Sequence, residues 1–261
     1  MGSALVLAVM GNEQLQLSGA LERPQHPLLQ RDIASHVGLN DCGVKVSDDI
    51  HAVVAEADVV IDFSSPEHSV ALSLVAAELG KIHVIGTTGF SDEDEATLQK
   101  AAASCVIVKS ANMSVGVNVM RVLTQKAAAI LAADFDVEIL DVHHRRKVDA
   151  PSGTSLALAE SVARGRGVAT DKALDAGFRW GHTQARELGR VGFGSLRGGD
   201  VVGTHSVLFL GNGETFEMTH RAQDRSIYAQ GAVQAALWAQ GKPHGLYDMV
   251  DVFQGILADC D

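Results

Sequence analysis

Ala57-Asp58-Val59-Val60-Ile61-Asp62-Phe63-Ser64-Ser65-Pro66 is the stretch that decides the fold. Its apolar run has the length of a buried strand and stops at a Ser-Ser-Pro breaker. Pro66 suits the first turn of a helix, where a backbone N–H would lack a partner anyway. The pattern predicts a helix over residues 66–79 and a strand at His83-Val84-Ile85, which ends in Gly86-Thr87-Thr88-Gly89. It then repeats, with a helix over residues 92–103 and a strand at Val106-Ile107-Val108, ending in Ser110-Ala111-Asn112. Continuous apolar runs separated by helices are what a parallel sheet covered on both faces requires.

Upstream, residues 3–10 are apolar and helix-compatible, and residues 15–21 read as a strand ending at Glu22-Arg23-Pro24. Downstream the texture changes. Residues 135–142 alternate as a half-buried strand. After a helix beginning near Pro151, residues 165–189 read as loop-rich. Three strand-like segments follow, at 191–196, 201–210 and 214–219. Leu208-Phe209-Leu210-Gly211-Asn212-Gly213-Glu214 has the form of a hairpin with a tight glycine turn. Residues 227–240 read as the final helix, returning to the first unit. The expectation is an α/β unit followed by a mixed or antiparallel sheet.

A chain of 261 residues is long enough for two domains. Its net charge of -11 argues against a general nucleic-acid binder. Cys42, Cys105 and Cys260 have no metal-site or disulfide spacing and read as reduced thiols of a cytoplasmic protein. No apolar run reaches membrane-spanning length, and the start carries no basic segment of the kind that opens a signal peptide.

Against this acidic background, one run is strongly basic: His143-His144-Arg145-Arg146-Lys147-Val148-Asp149-Ala150-Pro151-Ser152-Gly153-Thr154. Cations and a helix N-terminus together suit a small anion, with titratable groups at hand. In an extended strand, His143, Arg145 and Lys147 would share one side and His144 and Arg146 the other. That alternation makes chelation by both imidazoles difficult, and no metal is expected. Pro151 fits the first helical turn. The bland alternative is a basic surface loop ahead of a capped helix. Other strand ends also read two ways. Glu22-Arg23 is either a ribose contact or a solvated turn. Gly86-Thr87-Thr88-Gly89 is either a ligand loop or an ordinary strand-to-helix turn. Asn112 to Asn118 reads as a domain crossover, as a helix capped at Ser114, or as both.

The basic run resembles the signature of the dihydrodipicolinate reductase family. The resemblance extends over nearly the whole chain. It includes Val59 to Phe63, Ile85-Gly86-Thr87-Thr88-Gly89-Phe90, and Asn112 with Ser114-Val115-Gly116-Val117-Asn118. Further along it includes Gly192-Phe193, Arg197-Gly198-Gly199-Asp200-Val201-Val202-Gly203 and His205. The resemblance implies a Rossmann-type dinucleotide-binding domain, residues 1–113 and 226–261. It also implies an α+β substrate and tetramerisation domain with a mixed open sheet, residues 114–225. NADH or NADPH would reduce a cyclic dicarboxylate of lysine and diaminopimelate biosynthesis, in a cytoplasmic homotetramer that binds neither nucleic acid nor membrane. His143 would be the general acid/base and Lys147 the proton donor. His144, Gly153 and Thr154 would hold the substrate carboxylates. Glu22 and Arg23 would contact the adenosine ribose. Gly86, Thr88, Ser110 and Met113 would line the cofactor's nicotinamide side, and Thr87, Ala111 and Asn112 would also bind the cofactor.

The chain departs from the family at its start. Members open with a strand and a G-x-x-G-R-M-G turn, whereas this chain opens at Met1-Gly2, the end of that turn. Gly2 precedes Glu22 by about 20 residues, the spacing from fingerprint to acidic residue. The expectation is a missing first strand and most of a missing glycine turn, through a misassigned start, a true truncation or a Met-Gly-Ser cloning scar. Weak cofactor binding and low stability are expected to follow. Smaller departures are Gln184-Ala185-Arg186 after Thr183, where Gly-x-Arg is usual, Ser65 in place of Arg, and Tyr228 in place of Phe. The alternatives to a reductase of this type are a non-catalytic remnant that binds dicarboxylates and another small Rossmann reductase.

Overall fold

The computed structural model describes residues 1–174 and 185–258. Thr183 and Gln184, and with them part of the expected loop-rich region, lie outside the described residues. The chain divides into two compact units: Met1–Val115 with the chain from Arg225 onward, and Gly116–Asp224.

The first unit begins with α1 (Gly2–Met10), β1 (Ala20–Leu21), α2 (Ile33–His36), β2 (Val46–Ser47) and α3 (Ile50–Ala55). Then come β3 (Val59–Asp62), α4 (Pro66–Leu79), β4 (Ile82–Ile85), α5 (Asp92–Ala101) and β5 (Val106–Lys109). Local chemistry sets these boundaries. The Ser65 hydroxyl caps α4 by accepting from the His68 N–H, and Pro66 occupies the first turn. Gly80 ends the helix in the left-handed region at φ 65°. Ser91 and Asp94 form a reciprocal capping box on α5.

The second unit takes the chain from Gly116, so it holds nearly all of α6 (Val115–Leu131). It continues through β6 (Asp136–His143), α7 (Gly153–Arg166), α8 (Thr170–Ala173), β7 (Val191–Arg197), β8 (Gly203–Leu210) and β9 (Thr215–Ala222). The chain then returns to the first unit as α9 (Ser226–Ala239), β10 (Gly245–Tyr247) and α10 (Met249–Ala258).

The main sheet of the first unit is parallel, in the order β10-β5-β4-β3. Alternate residues of its strands enter two separate cores. Val84, Val106 and Val108 pack with Ala232 and Ala236 of α9, whereas Ile85 and Ile107 pack with Leu98 of α5. Both faces are therefore covered, as in a Rossmann-like layer arrangement. β1 and β2 pair in parallel as a separate two-stranded sheet.

The second sheet has the order β7-β6-β8-β9. β6 pairs parallel with β7 and antiparallel with β8, so the sheet is mixed. Val137 and Ile139 of β6 and Val207 and Phe209 of β8 pack with Leu158 and Val162 of α7. The hairpin between β8 and β9 closes with the Gly211 N–H donating to the Glu214 carbonyl at 2.9 Å, and Gly213 takes φ 95°.

Several expectations change. The buried strand expected at residues 57–63 is β3, whose residues Val59 to Ile61 are only half-buried. Among the described residues only β4 pairs with it. The strand expected over residues 15–21 shrinks to Ala20–Leu21, because Val46 and Ser47 are its whole ladder. Gly165, expected in a loop, lies inside α7, where a Cβ would run into the Gln125 carbonyl of α6. The helix expected to be final is α9, but β10 and α10 follow it, and β10 joins the sheet beside β5.

Candidate active site

The basic run leaves the end of β6, an inner strand of the second sheet. Residues two apart on a strand share a face. Val137, Ile139, Asp141 and His143 accordingly all face inward, with Asp141 only 1% exposed. The strand stops at His143, so the extended alternation expected for residues 144–147 does not form. The chain turns instead, with the Lys147 N–H donating to the His144 carbonyl at 3.1 Å and the Arg145 N–H to the Gly199 carbonyl at 3.2 Å. Pro151 lies outside the helix. Ser152 is the N-cap of α7 and accepts from the Ser155 N–H at 3.1 Å, so Gly153 and Thr154 form its first turn.

A buried polar network joins these pieces. The Asp141 carboxylate accepts from His143 Nδ1 at 2.9 Å and from the hydroxyl of Ser195 on β7 at 2.8 Å. It also accepts from the Ser152 N–H and the Ser155 hydroxyl, both at 3.2 Å, and from the Arg197 guanidinium. The His205 ring on β8 lies 5.0 Å from His143, edge to face, and its Nε2 is 3.0 Å from the Ser152 hydroxyl. Lys147 Nζ donates to Asp149 at 2.7 Å, and Arg197 holds the Asp149 carbonyl. His144 is half-buried, and its Nδ1 has no partner among the described residues.

The electrostatics follow from burial and from these bonds. Burial alone would raise the Asp141 carboxyl, but hydrogen bonds from Ser195, Arg197, Ser152 and His143 outweigh it and hold it at about 2. Burial pushes His143 below its ordinary 6.5, against the opposing pull of Asp141. Burial and the neighbouring His143 push His205 down to about 4. At neutral pH the site thus holds an ionised Asp141 next to two neutral imidazoles.

In the first unit, the other residues singled out from the sequence follow parallel strands. The Gly86 N–H donates to the Asp62 carbonyl at 2.8 Å, and the Ser64 N–H to the Thr87 hydroxyl at 3.0 Å. The loops after β3 and β4 are thereby tied together. The Ser110 N–H donates to the Ile85 carbonyl at 3.1 Å, which adds the loop after β5. Thr88 and Ala111 are exposed and Asn112 is half-buried, whereas the Met113 side chain is spent in the core. Glu22 and Arg23 follow β1 in the smaller sheet, Glu22 half-buried and Arg23 exposed. Small hydroxyl and glycine residues at one edge, with an acidic and a basic residue after another parallel strand, suit a nicotinamide dinucleotide.

The family profile described as "Dihydrodipicolinate reductase, N-terminus" matches residues 1–113, and "Dihydrodipicolinate reductase, C-terminus" matches residues 116–253. The chain belongs to the dihydrodipicolinate reductase family. It is 48% identical over 252 residues to the 4-hydroxy-tetrahydrodipicolinate reductase of Roseobacter denitrificans, covering 97% of this chain and 92% of that protein. It is 50% identical over 254 residues to the reductase of the same name from Brucella abortus, covering 97% and 94%. Among solved structures, the dipicolinate-bound dihydrodipicolinate reductase of Paenisporosarcina sp. TG-14 aligns with a TM-score of 0.71 at 24% identity, covering 95% and 92%. That likeness carries the fold. As a member of this family the chain is an NAD(P)H-dependent oxidoreductase.

Asp141, Ser155 and Ser195 do not stand out in the sequence of this reductase-family chain, and Arg197 and His205 enter there only as part of the family resemblance. One signal was available: Asp141 stands two residues before His143 on a strand, which puts both on one face. Ser195, Arg197 and His205 join the site only through strand pairing, as in the register pairs Asp141↔Ser195, His143↔Arg197 and Asp141↔His205.

Proposed function

We infer that this chain reduces 4-hydroxy-tetrahydrodipicolinate to tetrahydrodipicolinate with NADH or NADPH, a step of lysine and diaminopimelate biosynthesis. The observation that carries this reading is the His143–Asp141 pair beside the start of α7, in a chain that matches the reductase family along 97% of its length. The same coverage argues against a non-catalytic remnant.

The first unit is proposed to hold the dinucleotide and the second the substrate. The nicotinamide cofactor, when bound, supplies a hydride. Glu22 and Arg23 would meet its adenosine ribose, Gly86, Thr88, Ser110 and the main chain of Met113 would line its nicotinamide side, and Thr87, Ala111 and Asn112 would also contact it. Gly153 and Thr154, at the N-terminus of α7, hold the substrate carboxylates with His144. The helix dipole supports this reading, as do the open space beside Gly153 and the His144 Nδ1, which has no partner among the described residues. The 4-hydroxyl leaves as water, His143 acts as general acid/base, and Lys147 donates the proton that balances hydride addition.

A cytoplasmic homotetramer is the proposed working form. Its support is the thiols of Cys42 and Cys105, both free, and one face of the second sheet that exposes Leu140, Leu196 and Leu210. No described helix is long and apolar enough to cross a membrane.

The test is oxidation of NADH or NADPH by the purified chain when 4-hydroxy-tetrahydrodipicolinate is added. Substrate-dependent loss of the reduced nicotinamide is expected. Its absence with both cofactors would overturn the assignment.

A further inference from the structure

Asp141 has five hydrogen-bond donors on one buried carboxylate. His143 Nδ1 and Arg197 address Oδ1, whereas the Ser152 N–H, the Ser155 hydroxyl and the Ser195 hydroxyl address Oδ2. An ionised carboxylate offers about four lone-pair sites, so this one is fully engaged. It has no capacity left to exchange protons with a substrate. Its effect must pass through its partners.

Two of those partners belong to the proposed chemistry. A neutral imidazole carries one N–H and one lone pair. A carboxylate can only accept, so at 2.9 Å from Nδ1 it requires the proton on Nδ1 and leaves the lone pair on Nε2. Nε2 in turn faces Gly203 of β8, where a Cβ would stand 3.2 Å away. The other partner is Ser152, the cap of α7, held by its main-chain N–H. Its hydroxyl continues to Ser155 and to His205 Nε2. One carboxylate therefore ties the imidazole to the helix turn that carries Gly153 and Thr154.

We propose that Asp141 is a positioning residue for proton transfer: it fixes His143 as the Nδ1–H tautomer, leaves the Nε2 lone pair as the site of proton exchange, and holds that ring in register with the first turn of α7. This rests on the reductase reading above. An amide in its place would not serve. With its nitrogen on the Oδ1 side, Asn would face the donor-only Arg197 and drive His143 to the opposite tautomer. With its nitrogen on the Oδ2 side, it would face the donor-only Ser152 N–H. The other charged or titratable groups near the ring are Lys147, Arg197 and His205, and none of them demands a proton on Nδ1.

The experiment uses the full chain labelled with 15N-histidine, with the His143 signals assigned by their loss in His143→Asn. Long-range 1H–15N spectra of the ligand-free wild type should show the Nδ1–H tautomer. In Asp141→Asn that preference should weaken, because only one of the two amide orientations keeps the proton on Nδ1. Its kcat should fall by about 100-fold, the lower range for a positioned acid or base, while KM changes by less than about threefold. The pH limb that reports His143 should also move lower, because Asp141 no longer holds its proton. A wild-type Nε2–H tautomer would overturn the proposal, even if Asp141→Asn did not fold. So would a folded Asp141→Asn with an unchanged tautomer and a kcat within about twofold of wild type. A chain with the Nδ1–H tautomer but no turnover would instead overturn the reductase reading, and the catalytic part of this proposal with it.

Discussion

Gly231 of α9 lies directly against the main-chain carbonyl of Met113, and a Cβ on Gly231 would run into that oxygen. Backbone cannot swing aside as a long side chain can. Gly231→Ala is expected to destabilise the chain by about 1–3 kcal/mol, the usual result of overpacking. Ser110 to Met113 is one short loop, so NADH and NADPH affinity should fall as well. Urea denaturation and cofactor titration check both effects. An alanine variant with wild-type stability and affinity would show that the contact is not tight.

Burial of His205 predicts an acid-sensitive fold. Its folded value is about 4 against an ordinary 6.5. Between those values the unfolded chain binds the extra proton, so stability rises with pH there. The contribution is complete above about pH 6.5 and is lost as pH falls toward about 4. It is on the order of 3 kcal/mol, at about 1.4 kcal/mol per pH unit. His143 shifts the same way and adds to the effect. Asp141 acts in a lower window, because its depressed value matters only below its ordinary 3.8. Denaturation midpoints measured from pH 4 to 7 should rise with pH, and His205→Gln should flatten that rise.

Lys147→Met should separate chemistry from folding. The ammonium pairs with Asp149, whose side chain is 56% exposed, and such pairs contribute less than about 1 kcal/mol. Stability should therefore change little. If Lys147 donates the proton, kcat should fall between about 100- and 10,000-fold. Steady-state rates and a melting curve on the same preparation decide the matter. A kcat near wild type would remove Lys147 from the mechanism.

Cofactor choice should divide between Glu22 and Arg23. A carboxylate suits the ribose hydroxyls of NADH, and a guanidinium suits the 2′-phosphate of NADPH. Glu22→Ala should raise KM for NADH by about tenfold or more, the loss of one charged hydrogen bond, with a smaller effect on NADPH. Arg23→Ala should do the reverse. Arg23 is exposed, so its removal should leave stability unchanged. Parallel KM measurements with the two cofactors test the division, and equal effects would contradict it.

These residues also show how far the sequence could be read. The parallel layer was legible from the runs at Val59, His83 and Val106, because both-sided burial leaves uninterrupted apolar strands. The hairpin at Gly211 to Glu214 was legible from its glycines. β10 was not, because Gly245-Leu246-Tyr247 is too short to carry a period and is a strand only through its partner β5. Likewise, His143 and Lys147 stood out by charge, whereas Asp141 looked like one carboxylate among many in an acidic chain. Its importance comes from Ser195 and Arg197, which only strand pairing brings to it. Pro151 was misplaced because proline suits the residue before a serine cap as well as the first turn after it.

The return of the chain through α9 and β10 has a consequence during synthesis. The second unit is continuous from Gly116 to Asp224, and its whole sheet can close as soon as that segment has left the ribosome. The first unit is made earlier but completed later. Val84, Val108 and Met113 pack against α9, so the layer that covers them is translated only after the second unit. Until α9 emerges, the nascent chain therefore carries that apolar surface without its α9 cover at its older end. That surface is where chaperones should engage it, and where premature termination should do the most harm.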